Sequence, residues 1–139
     1  MELRRLGRDD ADAVLAAAHL FDDPPRREWT EQFLGRDGHH LVLATVGGEP
    51  AGFVSGIEIT HPDKGTELLL YELGVDEAFR RQGIGRALTE ALLDLARELG
   101  CRGMWVPVDP DNEAALATYR SAGSGEPEAA AVLSWEPIA

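Results

Sequence analysis

Apolar and polar positions change their period several times along the chain, and each change marks an element. Glu2–Leu6 alternates weakly and predicts a first strand. Asp9-Asp10-Ala11-Asp12 then opens an Ala-rich stretch with Val14, Leu15, Ala18 and His19 at helical spacing, which predicts a helix as far as Phe21. Asp22-Asp23-Pro24-Pro25 breaks it. A second short helix is predicted over Arg26–Leu34, with Trp29 and Phe33 four apart on one face. Leu41–Val46 and Ala51–Ile59 read as two strands around the hairpin signal Gly47-Gly48-Glu49-Pro50, followed by a polar loop over Thr60–Thr66. Glu67–Val75 is apolar without alternation over Leu68-Leu69-Leu70-Tyr71, the pattern of a central strand covered on both faces.

The strongest helix runs from Gly83 to Leu99, with Ile84, Leu88, Leu92, Leu95 and Leu99 in one stripe and Gly100 as its stop. Gly103–Val108 is a strand carrying Pro107, which has no N–H for a ladder and so belongs where a strand leaves its neighbour. Asp109 reads as the N-cap of a further helix, with Pro110 in its first position and an end near Gly123. Ala129–Trp135 is predicted as a short final strand. The order β-α-α-β-β-β-α-β-α-β, without repeats or linkers, predicts one α/β domain over residues 1–139 with a mixed sheet flanked by helices.

Composition narrows the function classes. At 44% hydrophobic and 27% charged residues the chain falls in the globular range. Its 13 Lys and Arg against 25 Asp and Glu leave a net charge of −12, which argues against nucleic-acid or anionic-membrane partners and suits a polycationic one. Cys101, the single cysteine, excludes an intrachain disulfide, and the histidines show no metal-ligand spacing. Without a signal peptide or an apolar run long enough to span a bilayer, a cytoplasmic location is expected.

Against this acidic background, Arg80, Arg81 and Arg86 place three cations in a window with no acid, Ala78–Thr89, where the chain enters the strong helix. Backbone N–H groups at a helix start lack intrahelical partners and carry partial positive charge. Gly83 and Gly85 remove the Cβ atoms that would keep an anion away from that backbone. Together these features predict a phosphate-bearing ligand. A Walker-type loop is excluded by the lack of Gly-Lys-Ser/Thr, and a dinucleotide fingerprint by Leu88 at the third glycine position.

Arg80-x-x-Gly83-x-Gly85 between a strand and a long helix, with Asn112-x-x-Ala115-x-x-x-Tyr119 downstream, resembles the acyl-CoA motifs of the GNAT superfamily of N-acetyltransferases. The resemblance covers nearly the whole chain and implies a mixed sheet with a splayed central pair of parallel strands and acetyl-CoA in the split. It implies a cofactor site at Gln82, Gly83, Ile84, Gly85, Arg86 and Ala87 with Arg80 and Arg81, at Leu73, Gly74 and Val75 for the pantetheine arm, and at Asn112, Ala115 and Tyr119. It also makes the Tyr119 phenol the acid that protonates the departing thiolate. On its own, without the first motif, Tyr119 reads rather as an ordinary core tyrosine; the two motifs together reverse that reading.

Glu72 interrupts an apolar strand, and a buried carboxylate must be paired or face a cavity. An alkylammonium acceptor has to lose a proton before it attacks, so Glu72 is the candidate general base, with an arginine ion pair as the structural alternative. Glu67 is a second candidate. Cys101, past the helix stop, reads as buried packing rather than an acyl carrier. Phe21, Asp22 and Asp23, with Asp109, Asp111 and Glu72, form a candidate anionic acceptor cleft, although acids also cap helices.

Leu20-Phe21, Leu70-Tyr71-Glu72-Leu73, Arg80-Arg81-Gln82-Gly83-Ile84 and Asp111-x-x-x-Ala115-x-Ala117-x-Tyr119 further resemble the type I aminoglycoside 3-N-acetyltransferases. That resemblance implies a small polycationic amine as acceptor, with homodimerisation usual for the family. This chain departs from those enzymes in having Glu72 where they tend to have Asp, glycine at Gly74 and Gly85 where they tend to have Ala, and Gly123-Ser124 in place of Gly-Phe. Other small amines, peptide or protein amines, and a silent acyl-CoA-binding module are the alternatives.

Overall fold

The computed structural model describes residues 1–138. Among these, strands β1 (Glu2–Leu6), β2 (His39–Val46), β3 (Glu49–His61), β4 (Gly65–Val75) and β5 (Gly103–Trp105) form one sheet in the order β1-β2-β3-β4-β5. The first four are antiparallel neighbours and β5 is parallel to β4, so the fold is the expected single α/β domain with a mixed sheet. Helices α1 (Ala11–Ala16) and α2 (Arg27–Gly35) cover one face; α3 (Ile84–Glu98) and α4 (Glu113–Ser121) cover the other. No helix among the described residues is long and apolar enough to cross a membrane.

The predicted stripe on α3 packs as expected at Ile84, Leu88, Leu92 and Leu95, each buried, while Leu99 at the helix end stays partly open. Burying such side chains contributes roughly 1.5–3 kcal/mol each. The helix lies close because β3 presents glycine to it: a Cβ at Gly56 would come within 2.9 Å of Leu92. On the opposite face Leu6, Val14, Ala17, Leu20, Leu34, Leu41, Leu43 and Phe53 form a second apolar layer.

Several expectations change. The first helix stops at Ala16 and is followed by a 3-10 turn over Ala18–Leu20. The anticipated loop at Thr60–Thr66 is mostly strand: Thr60 pairs with Thr66 and His61 with Gly65, because β-branched threonines favour the ladder and their hydroxyls meet across it at 2.9 Å. The strand through Leu68-Leu69-Leu70-Tyr71 is not covered on both faces, since Tyr71 is 57% exposed. Asn112, not Asp109, caps α4 by accepting the Ala115 N–H at 3.1 Å; Asp109 accepts from Asp111 instead, in a local turn that leaves Pro110 before the helix.

The final strand at Ala129–Trp135 is absent: this segment has no secondary structure, and Val132, Leu133 and Trp135 are exposed. A strand needs a partner edge, and β5, the neighbour open to it, ends at Trp105 just before Pro107. The same short β5 creates the splay. It pairs with β4 only over Glu67–Leu69, whereas β4 runs on to Val75 with that edge free.

Candidate active site

The site begins with a one-residue irregularity. Opposite residues on β3 and β4 keep step until Gly56 faces Leu70; the next pair is Ser55 with Glu72, so Tyr71 is an extra residue in β4. Side chains alternate faces along a strand, so one extra residue reverses every position beyond it. Leu68 and Leu70 point into the α3 layer, and without the bulge Glu72 would follow them. With it, Glu72 shares the face of Ser55 and Phe53, towards α1 and α2, while Leu73 and Val75 pack against the α3 side. The Glu72 N–H donates to the buried Ser55 Oγ at 3.1 Å, so Ser55 satisfies backbone at the bulge.

Glu72 there lines a cavity of about 160 Å³ between the sheet and the first two helices. Its walls are Val14, Phe21, Pro25, Phe33, Leu41 and Phe53, joined by Arg26, Trp29, Thr30 and Ser55. Phe21 stacks on Phe53 with centroids 4.1 Å apart, fixing one wall. Partial burial, and then the negative charge of Asp22, push the Glu72 carboxyl above its ordinary value. It remains solvent-exposed and has no arginine partner among the described residues, so the ion-pair alternative is not realised.

A second, polar cavity of about 520 Å³ follows the free end of β4, lined by His19, Leu20, Asp22, Leu73, Gly74, Val75, Asp76, Glu77 and Arg80. Gly74 is required where the 3-10 turn presses on the sheet: a Cβ would lie 2.6 Å from the Leu20 carbonyl oxygen and 2.8 Å from the Phe53 ring. The cavity leads towards the start of α3, where Gly83 caps the helix in the left-handed conformation (φ 77°), a region reached without cost by glycine. Arg81 beside it also has φ 65°. Among the described residues no acceptor meets the N–H groups of Gln82, Gly83, Ile84, Gly85 and Arg86. The open turn is therefore a cradle for an anion. Arg86 is held by Glu90 at 2.6 Å and Arg80 lies 3.7 Å from Glu77, leaving Arg81 without a carboxylate partner among the described residues.

The remaining expected residues lie around this frame. Tyr119 is buried on α4 in the α3-side layer, with Ala115 beside it, and lines neither cavity. Burial pushes its phenol above the usual value. Asn112 is committed to the cap of α4. Phe21 lines the apolar cavity and Asp22 the polar one, whereas Asp23, Asp109 and Asp111 are exposed and line neither. Glu67 sits at the far end of β4, its carboxylate 2.6 Å from His61 Nε2. Burial, and the charge of Glu58, push the Cys101 thiol up and keep it a poor nucleophile. Sequence reasoning missed Ser55, Thr30, Arg26 and Trp29 as wall residues. The available signal was the pairing of Trp29 with Phe33 on one face of a helix whose other apolar side chain, Leu34, is the one buried in the core.

The sequence profile of the Acetyltransferase (GNAT) family matches residues 7–123. The [ribosomal protein bS18]-alanine N-acetyltransferase of Escherichia coli K12 is 42% identical over 114 residues, covering 80% of this chain and 74% of that one. An aminoglycoside acetyltransferase from an uncultured soil metagenomic sample, crystallised with trehalose, superposes with a TM-score of 0.88 at 22% identity, covering 96% of this chain and 94% of that one. An aminoglycoside N-acetyltransferase crystallised with CoA gives a TM-score of 0.80 at 19% identity, covering 97% and 94%. At such identities the two structures show a shared fold.

Proposed function

The chain belongs to the GNAT acetyltransferase family and is an acetyl-CoA-dependent N-acetyltransferase, and from that premise we propose that its acceptor is the α-amine of a peptide or protein N-terminus. The observation that carries this reading is the cavity at Glu72: apolar, about 160 Å³, with a carboxylate in its wall. Pockets for drug-sized ligands run to about 300–1,000 Å³ and carry several converging polar groups. A polyamino sugar would meet a mostly apolar wall here with one anion, whereas an N-terminal residue offers one ammonium beside one side chain. The relationship to the E. coli enzyme, which by its name acts on an alanine of a ribosomal protein, points the same way.

The open turn fits the cofactor, with the amides of Gln82–Arg86 and the side chains of Arg80, Arg81 and Arg86 as its phosphate contacts and Ala87 behind them. The free β4 edge at Leu73–Val75 provides main-chain groups for its extended arm. Acetyl-CoA when bound supplies an acetyl thioester. With the cofactor bound, Glu72 would take one proton from the acceptor ammonium and pass it to solvent; the second N–H proton, lost as the C–N bond forms and the C–S bond breaks, would go to solvent, which reprotonates Tyr119 after its donation. Tyr119 gives its phenolic proton to the departing sulfur. Cys101 lies beyond the C-terminal end of α3, the far end from the open turn, and so takes no acyl group: transfer is direct.

An aminoglycoside acceptor is the second reading, favoured by the net charge of −12 and by Asp22 close enough to Glu72 to raise its pKa. Thiol release from acetyl-CoA, measured beside peptides with free α-amines and beside aminoglycosides, separates the two. Turnover with peptides is expected; turnover confined to aminoglycosides would replace the reading.

A further inference from the structure

Resting on the α-amine reading, we propose that the cavity beside Glu72 receives the side chain of the acceptor's first residue and selects apolar side chains larger than a methyl group. An apolar cavity of about 150 Å³ takes a guest the size of benzene. The cavity here, about 160 Å³, is therefore the size of one leucine, methionine or phenylalanine side chain. Alanine would leave most of it empty, and an unfilled apolar wall contributes nothing to binding.

Charge matches the same occupant. The single anion of the wall, Glu72, takes the α-ammonium, which sits two bonds from the first side chain. Val14, Phe21, Phe33, Leu41 and Phe53 have nothing with which to solvate a second charge, so a lysine side chain would be desolvated unpaired. The outer rim adds to this. Arg26 lies over the Trp29 ring, 4.4 Å from its centroid, placing a cation beside an indole that is 60% exposed. Arg26 is paired with Glu28 at 2.6 Å, so the rim offers an entering side chain no free anion and presents aromatic surface to an apolar one. Trp29 is thus a specificity-determining residue, and its exposure in the free protein matches a surface that an acceptor covers.

The test uses the full chain and four peptides that differ only in a first residue of Ala, Leu, Phe or Lys, with kcat/KM read from thiol release. Leu and Phe are expected to exceed Ala by about tenfold or more, the discrimination available to an apolar pocket, with Lys the poorest. Trp29→Ala, a change at an exposed position, is expected to lower the Leu-to-Ala ratio; Phe33→Ala is expected to shift preference from Leu towards Phe. Equal turnover of Ala and Leu, a preference for Lys, or an unchanged ratio in Trp29→Ala would overturn the proposal while leaving the α-amine reading in place. Failure of every peptide beside active turnover of aminoglycosides would instead overturn the α-amine reading, and this proposal with it.

Discussion

Glu72 combines access with a shifted proton affinity. Burial and the neighbouring Asp22 both disfavour its charged form, so its carboxyl titrates above its ordinary value. A base must be unprotonated to act, so kcat/KM is expected to rise with pH through that raised value. Removing the like charge in Asp22→Asn lowers the Glu72 pKa, and the rising limb should move to lower pH; an unmoved limb would place the titration elsewhere. Glu72→Gln should cost about a hundredfold or more in kcat/KM and abolish the limb, as loss of a general base does. Tyr119, the proposed acid, is the converse case: a phenol keeps its proton through neutral pH, and burial raises it further. Tyr119→Phe should lower kcat by a similar factor without weakening cofactor binding, measurable by calorimetry.

At the scale of elements, the β4 bulge decides which face Glu72 serves, and Ser55 secures it. Ser55→Ala leaves the Glu72 N–H without its acceptor and should cost about 1–3 kcal/mol in urea-denaturation stability, with activity falling beyond what stability explains. Full stability and activity in that variant would mean the bulge holds without the hydroxyl. Much at this scale was legible in the sequence. The α3 stripe, the glycine turn and the helix carrying Tyr119 rest on local spacing that tertiary contacts reinforce. The bulge was not legible, because Leu70-Tyr71-Glu72 carries no mark of an inserted residue and only pairing with β3 defines one. The apolar cavity was hidden for a related reason: its walls come from α1, α2, β2, β3 and β4, brought together by topology alone. The final strand failed because pattern predicts strand propensity and not the presence of a partner edge.

Across the whole molecule, charge and shape divide the labour. The chain carries −12 overall, yet the turn before α3 gathers three arginines around unpaired amides, a local inversion of charge that would favour an anion there. Arg81, without a carboxylate partner among the described residues, should contribute most: Arg81→Ala is expected to raise the KM for acetyl-CoA, and the wild-type KM should rise with salt as screening grows. A salt-independent KM would assign cofactor binding to the backbone amides alone. From the turn, the free β4 edge leads to the bulge, and the bulge delivers Glu72 to a cavity sized for one side chain. The most direct measurement is the site of acetylation in a peptide that begins with leucine and carries an internal lysine, located by fragment mass spectrometry after incubation with acetyl-CoA. A single acetyl group on the α-amine is the predicted product. Acetylation of the lysine side chain, or an unmodified peptide beside an acetylated aminoglycoside, would contradict it.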